Sequence, residues 1–213
     1  MINEERIETF INSFGEDLPE YLADLREYAI KTDVPIIRPQ MQSFIKLLFT
    51  MKKPERILEV GTAIGFSALL MREYTNAQCN IDTIEKYEPR IVEAKENFKK
   101  YDPDNKIFLY EGDAAEVLKE LSGEYDFIFM DAAKGQYIHF LPEIKRLLKK
   151  GGVLLSDNVL QDGNVMESRF AVVRRDRTIH GRMREYLYAL KNDPEFVTDI
   201  LALGDGVTVS VKC

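Results

Sequence analysis

The apolar positions of this chain change rhythm once, near residue 53. Before that point Ile7, Phe10, Ile11 and Phe14 recur at helical spacing, residues 17–31 continue the same period, and Pro39 can open a third helix through Leu48, since proline suits the first helical position. After it, short apolar runs alternate with amphipathic stretches: 56–60 then 65–74, 80–84 then 89–99, 106–110 then 114–121, 125–130 then 137–148, and 152–156 then 169–190. That alternation predicts an α/β fold, a parallel sheet covered by helices on both faces. The last two runs, 196–203 and 207–211, are separated only by Gly204-Asp205-Gly206 and predict an antiparallel hairpin at the sheet edge.

With 213 residues, 45% hydrophobic and 31% charged, the chain suffices for one well-buried core and is short for two. One domain over 1–213 is expected, with 1–52 as a helical cap and 53–213 as the sheet core. No apolar run approaches the roughly 20 residues that cross a bilayer, and no secretory signal opens the chain, so a cytoplasmic protein without a membrane partner is expected. Cys79 and Cys213 have neither metal-site spacing nor disulfide density and read as reduced thiols. A net charge of −7 argues against nucleic-acid binding driven by overall charge, although an average can hide a local basic patch.

In an open parallel sheet, ligands bind beyond the carboxyl ends of the strands. The first strand runs into Glu59-Val60-Gly61-Thr62-Ala63-Ile64-Gly65-Phe66-Ser67, a glycine-bearing turn that feeds a helix and offers free N–H groups. The second ends at Glu85, near the roughly 20-residue offset at which a carboxylate meets ribose hydroxyls. Only two glycines stand in the turn and an acid precedes them. A pyrophosphate is poorly served there, whereas Glu59 suits a ligand with an ammonium group, such as the methionine part of S-adenosylmethionine. Asp113, after the third strand, can cap the next helix and also face an adenine amino group. Each feature alone is equally well a strand-to-helix turn or a cap; three in order at successive strand ends favour the ligand.

The fourth strand ends in Asp131-Ala132-Ala133-Lys134 and the fifth in Asp157-Asn158. Two carboxylates and an amide oxygen form a hard-oxygen set suited to Mg²⁺ or another hard divalent cation, with coordination positions left for two adjacent oxygens of a substrate. Lys134, three residues after Asp131, can return its amine toward the site and take a hydroxyl proton. Singly, these residues are more simply solvated strand ends and a surface lysine.

Together the residues resemble the catechol and caffeoyl-CoA O-methyltransferase family, from about Val34 to Val211, through LEVGTAIGFSALLM (58–71), IEK (84–86), EGDA (111–114), MDAAK (130–134), LLSDNV (154–159) and LGDGVTVS (203–210). The resemblance implies a Rossmann-like, doubly wound, seven-stranded sheet with an antiparallel last strand, and commonly a homodimer. It implies Asp131, Asp157 and Asn158 as metal ligands, Lys134 as base with Asp131 beside it, and Ile37, Glu59, Gly61, Ser67, Glu85, Asp113, Ala114 and Asp131 at the S-adenosylmethionine site.

Residues 169–184 carry six arginines against one acid, net +5, which leaves −12 for the remainder. Arginine forks bind phosphates, and RTIHGRM in particular resembles the bacterial branch that methylates 5-hydroxyuridine at the tRNA wobble position. This makes tRNA the expected partner and Arg174, Arg175 and Arg177 the candidate RNA contacts; a solvated helix face or subunit interface accounts for the same charges. A small catechol-like phenol is the alternative acceptor, and a noncatalytic RNA- or nucleotide-binding module of the same fold is the third reading. His180 is given no role.

Overall fold

The computed structural model describes residues 4–213. Three helices come first, α1 (Glu4–Asn12), α2 (Glu20–Lys31) and α3 (Pro39–Lys52). The alternating part follows as β1 (Arg56–Val60), α4 (Phe66–Glu73), β2 (Asn80–Glu85), α5 (Glu88–Tyr101), β3 (Ile107–Glu111), α6 (Ala114–Glu120), β4 (Tyr125–Met130), α7 (Tyr137–Leu147), β5 (Leu148–Ser156), α8 (Arg177–Asn192), β6 (Phe196–Leu201) and β7 (Val207–Lys212). The sheet order is β3-β2-β1-β4-β5-β7-β6, and β7 runs antiparallel between β5 and β6. The 196–211 hairpin therefore forms the sheet edge as expected.

Because both their faces are covered, the central strands are mostly apolar, interrupted by Glu59 in β1, Asp82 in β2 and Asp126 in β4. Ile57, Phe127, Phe129, Val153 and Leu155 share one core with α2, α3, α4 and α5. Leu58, Val60, Ile128, Met130 and Leu154 face the other core, with α6, α7 and α8. The cap helices thus pack into the same core as the sheet. Helix α1 behaves differently: Phe10 is 66% exposed and Phe14, just beyond the helix, 72% exposed, so its apolar stripe lies outside both cores. Among the described residues no helix is long and apolar enough to cross a membrane.

The helix expected over 169–190 begins only at Arg177. The segment before it is a loop with single 3-10 turns at Asn164–Met166 and Arg174–Asp176. Its carbonyls are taken by side chains of α8 instead of by a helical ladder. Arg177 donates to the carbonyls of Val172 and Phe170, Arg184 to that of Val165, and the His180 ring lies 3.1 Å from that of Glu167. Those bonds fold the loop back on α8, a tertiary arrangement that charge and spacing do not reveal.

Candidate active site

A cleft of about 670 Å³ opens beyond the carboxyl ends of β1 to β5. Its floor begins at the turn after β1. Gly61 donates its N–H to Ile84 O at 3.1 Å, and Asp131 donates its N–H to Val60 O at 3.0 Å, so this turn is tied to both neighbouring strands. Gly61 has φ +106, and a Cβ there would run into the Asp131 carbonyl oxygen. Glycine is thus required by the chain's own packing and not only by a ligand. Gly65, at φ +85, is similarly pressed by the Phe98 ring.

Glu85 acts as a clamp. Its carboxylate accepts N–H bonds from Ala63, Lys86 and Tyr87, each at 2.9 Å, holding the loops after β1 and β2 together, and its residue lines the cleft. Asp113 caps α6 by accepting from Ala115 N at 2.9 Å and also pairs with Lys86 at 3.1 Å. Ile37, Ser67 and Ala114 line the same cleft.

Glu59 lies behind this wall, fully buried, and is not among the residues that line it. Thr62 and Thr83 share a 2.5 Å hydroxyl contact, and Thr83 donates to Glu59 Oε2 at 2.5 Å. Among the described residues Oε1 has no hydrogen bond, the Ser67 hydroxyl standing near the carboxyl but outside bonding geometry. Burial pushes the Glu59 carboxyl up to about 7, against the pull of the Ser67 and Thr83 hydroxyls and with help from the negative charges of Asp131 and Glu85. A buried carboxylate oxygen left unpartnered fits a site that receives a cationic group.

Asp131, Lys134, Asp157 and Asn158 all line the cleft. Lys134 Nζ lies 2.8 Å from Asp131 Oδ1. Burial and the Asp131 charge together raise the Asp157 carboxyl to about 6, against the Asn158 N–H, Lys134 and Arg38. Two hard-oxygen carboxylates crowded in this way, beside an amide, fit a hard divalent cation. The set holds only two acids, and among the described residues no group of three or more His, Cys, Asp or Glu gathers as a metal site.

The O-methyltransferase family matches residues 12–213. The O-methyltransferase ankF of Aspergillus thermomutatus is 30% identical over 87% of this chain and 78% of its own length. The caffeoyl-CoA O-methyltransferase of Medicago sativa is 29% identical over 89% and 81%. Among solved structures, the SAH-bound methyltransferase PaMTH1 of Podospora anserina superposes with a TM-score of 0.88 at 29% identity, over 100% of this chain and 97% of that one. The chain belongs to the O-methyltransferase family. It is a SAM-dependent O-methyltransferase, and its seven-stranded sheet is the Rossmann-like one expected.

In this methyltransferase no residue of the arginine-rich segment is among those that line the cleft. Arg174 and Arg175 are exposed on a 3-10 turn, whereas Arg177 is engaged with two backbone carbonyls. Arg182 donates to Gly135 O at 3.2 Å and so braces the turn that carries Lys134. Two further residues at the site escaped the sequence reading. Tyr137 is buried, with its hydroxyl 3.0 Å from Met130 O, 3.2 Å from Asp157 O and 3.4 Å from Lys134 Nζ. Its spacing of three from Lys134 was the available signal. Arg38 lines the cleft beside Ile37; a basic residue next to a cofactor-site residue was its only mark.

Proposed function

We propose that this O-methyltransferase transfers the methyl group of S-adenosylmethionine to one of two oxygens on adjacent carbon atoms of its acceptor, with a hard divalent cation such as Mg²⁺ held by Asp131, Asp157 and Asn158. The observation that carries the reading is the meeting of those three residues and Lys134 in one cleft with the Glu85 clamp. Ile37, Gly61, Ser67, Glu85, Asp113 and Ala114 are the cofactor wall, with Glu59 behind it.

When bound, the cation would supply a Lewis acid for the acceptor oxygens and compete with Lys134 for the Asp131 carboxylate. Lys134, once parted from Asp131 and present as the neutral amine, would accept the hydroxyl proton as the acceptor oxygen attacks the methyl group and SAH leaves. Tyr137 keeps the ends of β4 and β5 together beneath it, and Asn158, with φ +53, takes the left-handed backbone that asparagine tolerates. The acceptor best supported by the relatives is a small catechol-like phenol, since both caffeoyl-CoA and catechol O-methyltransferases are among them.

A second acceptor, 5-hydroxyuridine at the tRNA wobble position, is favoured by one observation. Arg169 and Arg174 are exposed without a hydrogen-bond or ion-pair partner among the described residues, next to Phe170, which is 86% exposed. Exposed guanidinium groups and an exposed aromatic ring on one segment suit single-stranded nucleic acid. The exposed apolar stripe of α1 supports a homodimer as the assembly, which sedimentation would reveal as a doubled mass.

The test is transfer of label from S-adenosylmethionine to a catechol and to tRNA lacking the modification, each with and without chelator. Transfer that ignores chelator would sink the metal assignment. Methylation of tRNA, lost in Arg174→Ala, would favour the second acceptor, and catechol turnover unaffected by that change would favour the first.

A further inference from the structure

Two aspartates stand on the acceptor side of the cleft, and a third, Asp205, lines the smaller pocket beside it. Asp131 and Asp157 stand at the strand ends, and Asp205 in the β6–β7 turn accepts the Asp162 N–H at 2.6 Å. Lys134 is already engaged with Asp131. Among the described residues Arg38 is the cation there that makes no hydrogen bond or ion pair, its charge reaching Asp157 and Asp205 only at longer range.

The backbone at Arg38 is fixed. It is extended before Pro39, its carbonyl accepts the Gln42 N–H at 3.1 Å, and the buried Gln42 side chain donates to Ile37 O at 2.8 Å. From that anchor the side chain passes over the β6–β7 turn, where a Cβ built on Gly204 would lie 3.6 Å from Arg38 Cδ. Arg38 lines both the main cleft and a smaller pocket formed with Asp157, Asn158, Gly204 and Asp205. Its guanidinium is exposed and makes no hydrogen bond or ion pair with any described residue. A planar donor fork held at the rim of a reacting site and left unpartnered is matched by a planar or tetrahedral oxyanion.

We propose that Arg38 selects acceptors that carry an anionic group, a carboxylate or a phosphate, in addition to the oxygen that receives the methyl group. The assignment rests on the vicinal-oxygen acceptor argued above. Without Arg38, an anionic acceptor would meet a rim dominated by aspartates; with it, the same group gains a charge-assisted contact. The neutral analogue gains nothing.

Two matched pairs of probes separate the sources of the anion: 3,4-dihydroxybenzoate against 3,4-dihydroxybenzaldehyde, and 5-hydroxyuridine 5′-monophosphate against its nucleoside. Affinity for the full chain loaded with SAH and Mg²⁺ is read by calorimetry, and kcat/KM is read alongside. Arg38→Met is expected to weaken the anionic member of a pair about fivefold, the upper end for a rim-exposed charge pair, and to leave the neutral member and the SAH affinity within about twofold. Arg38→Lys recovers part of the loss. A loss confined to the benzoate identifies a carboxylate, and one confined to the monophosphate a phosphate.

Equal losses for both members of each pair, an altered Mg²⁺ half-saturation with no acceptor discrimination, or no binding of either anion by the wild type would each overturn the proposal. The first two are what a guanidinium that only balances Asp157 and Asp205 would give. Absence of methyl transfer to every probe would instead sink the vicinal-oxygen reading, while the binding difference still reports on Arg38.

Discussion

Replacing Glu59 with glutamine separates what the residue does for the ligand from what it does to the empty protein. Its carboxyl is fully buried and held at about 7, against 4.5 for an ordinary glutamate. Between those values the folded chain keeps a proton that the unfolded chain has released, so the group favours folding below pH 4.5 and that contribution disappears as pH rises through 7. At about 1.4 kcal/mol per pH unit, the span is worth about 3 kcal/mol. Because pH 5 already lies above 4.5, the wild type should lose about 2.5 kcal/mol between pH 5 and pH 8 through this residue alone, which is roughly 5–10 °C in Tm for a chain of this size. Glu59→Gln removes that slope. Its amide can still accept from Thr83, and whatever fixed cost its buried NH₂ group adds is the same at both pH values. Asp157, also raised, contributes equally to both proteins. The assay is calorimetric unfolding of the ligand-free proteins at pH 5 and 8, with SAH affinity measured on the same samples. The variant should show the flatter profile and about tenfold weaker SAH binding, as expected for loss of a buried charge-assisted contact. A Tm difference between the proteins that is the same at pH 5 and pH 8 would refute the reasoning, because it would mean that Glu59 titrates no differently in the folded chain.

Three other substitutions probe the same end of the sheet. Tyr137→Phe deletes a buried hydroxyl that lies 3.0 Å from Met130 O and 3.2 Å from Asp157 O and itself accepts the Ala132 N–H at 3.3 Å. It should lower stability by about 1–3 kcal/mol and reduce kcat more than it changes KM; an unaltered Tm and kcat would exclude Tyr137 as the tie between β4 and β5. Gly61→Ala forces a left-handed backbone onto a residue whose Cβ has no room beside Asp131, so a loss of about 1–3 kcal/mol and of SAH binding is expected. A folded Gly61→Ala protein with wild-type SAH affinity would contradict that. Asp157→Asn should stabilise the metal-free protein at pH 8, where the raised carboxyl is ionised at the expense of folding, and should raise the Mg²⁺ concentration needed for half-maximal turnover by at least about tenfold. Unchanged Mg²⁺ dependence in that variant would remove Asp157 from the ligand set.

Most of the fold was legible because buried parallel strands leave an unmistakable trace. Strands β1, β4 and the second half of β5 are mostly apolar and buried on both faces, and Asp131 and Asp157 are the first residues beyond β4 and β5. A strand buried to its last residue delivers the next residue to the rim of the sheet, so order along the chain becomes position in the cleft. That is why Asp131, Lys134, Asp157 and Asn158 could be gathered on paper and stand together in space. The same logic placed Glu85 and Asp113, although it did not show that Glu85 is already bound by three backbone N–H groups.

The arginine-rich segment marks where this reasoning ends. Its charge was plain, but charge has no address: Arg177, Arg182 and Arg184 hold backbone carbonyls at Val172, Gly135 and Val165, and this shortened the expected helix to α8. Six guanidinium groups on one segment are therefore not six ligand contacts. A solitary arginine outside the segment, Arg38, makes no side-chain hydrogen bond or ion pair among the described residues, although its charge acts on Asp157 and Asp205 from a backbone fixed by proline and Gln42. Which cations remain available to a ligand is decided by the carbonyls and carboxylates that the fold brings near them. That is a property of tertiary packing, and no count of charges along the chain contains it.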